Sequence, residues 1–303
     1  MSRPIVLFEN MRAIPYVPFY LAAARKDWER AGAEVRIETS PATSQTAAAL
    51  LDGRADVSWG GPMRVMLHHN ADPDCPLVCF GQVVSGEPFV LVGRKPIASF
   101  RLADLLDVRI GIAVDVPTPW MTFQDDLRRA GIAPSSLDRA PDVPMAENAE
   151  RLRNGEVDVI QVFEPYVDQA VAGGWGHVWH RFAGRGDMSY TSFYTTRRFA
   201  EEERATCRAL VRGIAAAQEA LFAETADEIA GQVAGYFPDI ERPALARMIE
   251  GYRSSGVWAR SPELPVDTFV RLKASLLSGG LIDYDAPYHQ VVDDAITAEA
   301  LAG

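Results

Sequence analysis

One short pattern is written twice in this chain. Leu50-Leu51-Asp52-Gly53-Arg54-Ala55-Asp56-Val57 is echoed by Leu152-Arg153-Asn154-Gly155-Glu156-Val157-Asp158-Val159, and both copies read Leu-x-x-Gly-x-x-Asp-Val. Each runs into a short apolar stretch that ends at a proline, Pro62 or Pro165. The glycine closes a helix in the left-handed conformation, a tight turn follows, and the apolar run reads as a buried strand. Two such units far apart predict two similar α/β lobes. Two lobes make a cleft, and a cleft seats a small molecule.

The 303 residues are long enough for two lobes with their own cores. A net charge of -11 argues against nucleic acid and against an anionic membrane surface. Cys75, Cys79 and Cys207 are odd in number and form no C-x-x-C, so no disulfide framework is expected. Cys75 and Cys79 lie near His68-His69, but adjacent histidines on a helix point apart, and no metal site or cofactor is expected. No apolar run reaches the ~18 residues of a membrane span. The chain passes from Met1-Ser2-Arg3-Pro4 straight into a strand, with no signal peptide in this numbering. Either a leader has been removed or the protein stays in the cytoplasm.

Strand-like and helical runs alternate. Strands are expected at 5–8, 34–39, 56–59 and 77–83, with helices at 18–30, 45–51 and 62–70 between them. This order implies a mostly parallel sheet with helices on both faces. A second section follows, with strands at 89–92, 109–113 and 157–162 and helices at 102–106, 120–130, 146–153 and 165–172. From about Phe199 the pattern is helical only, and Thr225-Ala226-Asp227-Glu228 reads as a capping box. The second lobe reads as an insertion. Lobe 1 is expected over 1–86 plus 190–303 with its C-terminal helices, and lobe 2 over 87–189. A hinge is expected near 84–88 and 184–190, where two crossings would let the lobes open and close.

Taken in order, several pieces resemble the NMT1/THI5-like group, which includes the binding proteins of ABC importers for sulfonates, nitrate and thiamin pyrimidine precursors. They are Pro18-Phe19-Tyr20-Leu21-Ala22-Ala23-Ala24 with Trp28 and Gly32; Ala49-Leu50-x-x-Gly53-x-x-Asp56; Asp104-Leu105 with Arg109-Ile110-Gly111-Ile112; and Leu152-x-x-Gly155-x-x-Asp158 leading to Glu164-Pro165-Tyr166. The resemblance implies a two-lobed type II periplasmic-binding-protein fold with the ligand between the lobes. It implies an ABC permease as partner and a periplasmic location. A monomer is expected.

In an open parallel sheet, ligands bind beyond the carboxyl ends of the strands. The first such loop holds Asn10 and Arg12; Arg12 is either a clamp for a carboxylate or sulfonate or a solvated surface arginine. Ser44 reads as a helix cap, as does Thr118 before Pro119, and Gly61-Pro62 opens a helix in the same way. Such helix starts favour an anion. Gly60 and Gly61 let a ligand approach the backbone. Trp59 and Trp120 are placed on the cleft rim, where rings from both lobes could hold a planar ligand, with Phe19, Tyr166 and Tyr190 as further aromatics. Gln82 either reaches the cleft floor or is a satisfied strand-end residue. Glu164 either binds an amine or stabilises a helix start.

The expected function is a non-catalytic solute-binding protein that closes over a small planar or anionic molecule, a pyrimidine, aromatic acid or sulfonate. The alternative is a cytoplasmic enzyme on the same fold, of the pyrimidine-precursor synthase, desulfinase or decarboxylase kind. A desulfinase needs a cysteine in the first cleft loop, and residues 9–20 hold none. No catalytic residue is assigned.

Overall fold

The computed structural model describes residues 3–302. In chain order the main elements are β1 (Ile5–Glu9), α1 (Val17–Ala24), α2 (Asp27–Ala31), β2 (Val35–Thr39), α3 (Thr46–Leu51), β3 (Val57–Gly60), α4 (Pro62–Ala71), β4 (Leu77–Val84), β5 (Val90–Gly93), β6 (Arg109–Gly111), α5 (Thr118–Arg129), β7 (Asp138–Arg139), α6 (Met145–Asn154), β8 (Val159–Val162), α7 (Tyr166–Ala172), β9 (His177–Arg181) and β10 (Thr191–Thr196). Helices alone follow: α8 (Arg197–Glu202), α9 (Arg204–Ala223), α10 (Ala226–Val233), α11 (Arg242–Ser254), α12 (Val266–Ser278), α13 (Tyr288–Val291) and α14 (Asp294–Leu301).

The chain divides into two compact units. The first holds residues 3–86, Asp187–Lys273 and 282–302; the second holds Glu87–Gly186 and Ala274–Leu281. The first unit contains a five-stranded sheet of order β2-β1-β3-β10-β4, the second one of order β7-β6-β8-β5-β9. In the first, β2, β1 and β3 pair in parallel while β10 runs antiparallel to both β3 and β4. In the second, β7, β6 and β8 pair in parallel while β5 runs antiparallel to both β8 and β9. The two sheets therefore share one plan, with one reversed strand inserted before the last.

The repeated motif builds the centre of each sheet. Gly53 (φ 77°) and Gly155 (φ 78°) both sit in the left-handed region, where a side chain is strained. The strand after each glycine, β3 or β8, is fully buried and flanked on both sides. The motif aspartates extend the ladder. Val6 N–H donates to Asp56 Oδ2 at 2.8 Å while Asp56 N–H donates back to the Val6 carbonyl at 2.9 Å. Arg109 N–H donates to Asp158 Oδ2 at 3.1 Å, and Asp158 N–H returns to the Arg109 carbonyl at 2.9 Å.

Helices pack closely on the first sheet. The Trp28 ring lies against α9 so tightly that a Cβ on Gly213 would fall 2.3 Å from it, and its Nε1 donates to the Leu210 carbonyl at 3.2 Å. The Thr225 capping box is formed: Glu228 N–H donates to Thr225 Oγ1 at 3.2 Å, and Thr225 N–H to Glu228 Oε2 at 2.8 Å.

Three readings of the sequence need correction. The helix expected over 18–30 is broken at Lys26, which turns left-handed (φ 59°) and divides α1 from α2. Strands β7 and β9 were not anticipated, because neither shows a buried alternating pattern. Finally, Ala274–Leu281 belongs with the second unit and not with the C-terminal helices of the first. There the Arg128 guanidinium donates to Ser278 Oγ at 3.2 Å, and a Cβ on Gly279 would meet Met121 Sδ at 2.6 Å. The chain thus passes between the units at Gly86/Glu87, Gly186/Asp187, Lys273/Ala274 and Leu281/Ile282, where two crossings were expected.

Candidate functional site

In the first unit the strand ends bring together Asn10, Tyr16, Phe19 and Trp59. Asn10 donates from Nδ2 to the Tyr16 hydroxyl at 3.0 Å, and its Oδ1 accepts Met11 N–H at 2.9 Å. Trp59 stacks on Phe19 with centroids 4.4 Å apart, and Tyr16 tilts against both rings. Phe19 and Trp59 are wholly buried. The rim position expected for Trp59 is therefore a core position: it pairs with Phe193 on β10, and its neighbours pack it from α1. Gly60 and Gln82 both lie in register with Ser192, so these three residues form a row across β3, β10 and β4. Gln82 N–H donates to the Pro262 carbonyl at 2.7 Å, and its side-chain Oε1 is buried without a hydrogen-bond partner. At Gly61 a Cβ would sit 2.8 Å from the Tyr190 carbonyl oxygen, so this glycine is required by close packing against Tyr190, itself buried.

Arg12 is not an unpaired cation. It donates to Glu9 Oε1 at 2.7 Å, and the fully buried Glu9 also accepts from Tyr20 at 2.6 Å and from Thr39. This hydrogen bond to Glu9 raises the Arg12 pKa. The cation that sequence reasoning missed is Arg64, the third residue of α4. It is half-buried and has no carboxylate partner among the described residues. Burial raises the Tyr16 and Tyr194 phenols, and the Arg64 charge works against that rise at both. The signal was present: two residues after the Gly61-Pro62 helix start, an arginine falls in the first turn.

Two expected caps do not form. Ser44 is exposed inside a single 3-10 turn, Thr43–Gln45, and no side chain caps α3, because that turn already feeds the helix. Thr118 is the first residue of α5 and not its cap: Pro117 is already in helical conformation and takes the cap position. Gly61 and Pro62 do open α4 as cap and first helical residue.

In the second unit Trp120 is half-buried on α5, edge-on to Phe123, with the Arg139 guanidinium 4.4 Å over its ring. One face of this indole is therefore occupied. Glu164 Oε2 accepts Asp168 N–H at 2.8 Å, which is the helix-start role for this residue. Tyr166 is half-buried; burial raises its pKa, and Asp115 adds to the rise. Asp115 in turn accepts Met145 N–H at 3.0 Å, at the start of α6. His69 is buried between the Pro73 and Leu77 carbonyls.

Two cavities of about 350 Å³ lie in the first unit, one beside Trp28 and Tyr236 and one beside Leu264 and Tyr288. None of the expected site residues lines either. All three cysteines are unpaired and buried. No cluster of His, Cys, Asp or Glu able to hold a metal ion occurs among the described residues, and no helix there is long and apolar enough to cross a membrane.

A model of the NMT1-like family matches residues 11–234. The chain belongs to this family. This NMT1-like chain is 22% identical over 290 residues to YtlA of Bacillus subtilis (strain 168), provisionally named a binding protein, which covers 95% of this chain and 87% of YtlA. Among solved structures, the periplasmic aliphatic sulphonate binding protein SsuA from Escherichia coli matches with a TM-score of 0.78 at 15% identity, over 96% of this chain and 97% of that one. The desulfurization enzyme DSZB matches with a TM-score of 0.69 at 13% identity, over 99% of each chain. At such identities the likeness establishes the shared fold of this NMT1-like chain. That fold is the type II periplasmic-binding-protein fold expected from the sequence.

Proposed function

We propose that this protein is a solute-binding protein of an ABC importer, and that its solute is a small organic anion. The observation that carries the ligand class is Arg64. A half-buried arginine with no carboxylate partner is unusual in a chain of net charge -11. It lies in the first turn of α4, at the carboxyl end of β3, where open sheets place their ligands. A guanidinium there offers two parallel hydrogen bonds to a carboxylate or sulfonate. Asn10, Tyr16 and Gly60 share that end of the sheet and supply neutral polar contacts. Tyr166 and Trp120 are the candidate contacts from the second unit. In this reading the two units close over the solute, the closed form is read by a permease, and the protein works outside the cytoplasmic membrane.

What speaks against cysteine-based catalysis is the placement of the thiols. Burial pushes Cys79 and Cys207 up to about 12 and raises Cys75, so none is a ready nucleophile.

The test is titration calorimetry of the purified protein with three probes: an alkanesulfonate, an aromatic carboxylate and a neutral pyrimidine. One of the two anions is expected to bind, and Arg64→Ala to weaken it by about 1.5–3 kcal/mol, roughly ten- to a hundredfold. Binding of the neutral pyrimidine alone, or an affinity indifferent to Arg64→Ala, overturns the anion assignment. Turnover of the bound probe, detected by mass spectrometry, overturns the non-catalytic role.

A further inference from the structure

Glu87 and Arg185 stand at the two ends of the long segment that makes up most of the second unit, next to the passages at Gly86/Glu87 and Gly186/Asp187. The Glu87 side chain is fully buried and that of Arg185 is 11% exposed. Arg185 donates from Nη1 to Glu87 Oε2 and from Nη2 to Asp126 Oδ2 on α5. Thr122, one turn earlier on α5, donates its hydroxyl to the same Glu87 oxygen at 2.7 Å. Glu87 Oε1 is buried without a hydrogen-bond partner. The incoming and outgoing segments are thus fastened to each other and to one helix.

The charges in this cluster do not balance. One guanidinium faces two carboxylates and can neutralise only one of them. His180 on β9 does not supply a second cation: burial, and then Arg185, lower its pKa. Asp125, beside Asp126 on α5, is itself held by Arg129 at 2.8 Å. A buried site with one excess negative charge favours a proton, and Glu87 Oε1, which accepts no hydrogen bond, is the oxygen open to carry it. Burial pushes Glu87 up to about 7, against the lowering effects of Arg185 and Thr122. It raises Asp126 as well.

We propose that Glu87, Arg185 and Asp126 form a proton-operated latch on the segments that enter and leave the second unit. The latch is engaged while Glu87 is neutral and loosens when Glu87 ionises. The sign follows from linkage. The engaged state holds the Glu87 pKa above its value in solvent, so it binds more protons than the loosened state. Its stabilisation is complete below the ordinary carboxylate range and is lost as pH rises to about 7. No solute enters the argument, so the latch stands or falls separately from the binding function.

Hydrogen exchange of the full chain, corrected for the intrinsic pH dependence of amide exchange, tests it. Amides over 87–90 and 182–186 are expected to exchange about tenfold faster at about pH 8 than at about pH 5.5. Glu87→Gln keeps the neutral shape and leaves Arg185 paired with Asp126, so it should hold the slower rate at both values. Asp126→Asn leaves Arg185 to Glu87 alone and should move the wild-type transition to lower pH. A wild-type rate flat across this range, faster exchange in Glu87→Gln at both values, or an unmoved transition in Asp126→Asn overturns the latch. If Glu87→Gln fails to fold, the wild-type profile and Asp126→Asn decide it.

Discussion

The Trp59 indole lies face to face with the Phe19 ring, centroids 4.4 Å apart and planes 11° from parallel, and neither side chain reaches solvent. This pair is part of the core of the first unit, so Trp59→Ala is expected to cost about 3–5 kcal/mol of stability. Trp59→Phe should cost much less. The indole Nε1 is buried without a hydrogen-bond partner, and its removal offsets part of the lost packing. Denaturant unfolding of both variants measures this. Equal losses for the two, or a loss under about 1 kcal/mol for Trp59→Ala, would contradict the core placement.

Asp56 and Asp158 make the same backbone contact in the two sheets, yet their replacement should not cost the same. The Asp56 side chain is 7% exposed and that of Asp158 is 42% exposed. Asp56→Ala strands the Val6 N–H away from water, at about 1–3 kcal/mol. Asp158→Ala leaves Arg109 N–H accessible to solvent, and its Arg94 partner is a surface pair worth about 0–1 kcal/mol. The Arg3 pair on Asp56 adds little, since Arg3 is 67% exposed. Thermal unfolding should rank Asp56→Ala clearly below Asp158→Ala; the reverse order refutes the argument.

Arg12 and Arg64 should separate stability from affinity. Arg12→Ala leaves the buried Glu9 without its cation and is expected to destabilise by about 1–3 kcal/mol while changing the affinity for an anionic solute little. Arg64→Ala should do the opposite, since no ion pair among the described residues is broken. Melting and calorimetry on the same preparations give both numbers. A large affinity loss confined to Arg12→Ala would return the anion-clamp role to that residue.

The thiols give a prediction with a pH sign. Burial holds Cys79 and Cys207 at about 12, so at about pH 8 both stay protonated and resist alkylation in the folded protein. Iodoacetamide labelling followed by mass spectrometry should modify them only after denaturant is added. Rapid native labelling of Cys79 would reopen the search for a nucleophile.

The lobed α/β architecture was legible because it rests on local chemistry. Gly53 and Gly155 must turn left-handed, and the apolar runs after them have nowhere to go but a sheet centre. The capping box at Thr225 was legible for the same reason. The candidate site was legible only in part. The order of strands and helices tells which residues lie near a strand end, but not which way a side chain turns there. Trp59 on β3 and Phe19 on α1 both lie near a strand end, and both face inward. Sequence does not show the claim of Glu9 on the Arg12 guanidinium, because the burial of Glu9 depends on Tyr20 and Thr39 arriving from elsewhere in the chain. Ser44 and Thr118 carry good capping side chains, but a 3-10 turn and Pro117 take the positions they would need. Arg64 stands against the helix dipole in the first turn of α4, but its lack of a carboxylate partner shows only in the folded chain.

The placement of Ala274–Leu281 bears on how this molecule can be taken apart. A graft of 87–186 into another scaffold would leave behind the stretch that meets Met121 and Arg128, exposing the side of α5 that it covers. Chimeras that exchange the second unit between relatives must therefore transplant two separate pieces of chain, and single-cut swaps should yield insoluble product.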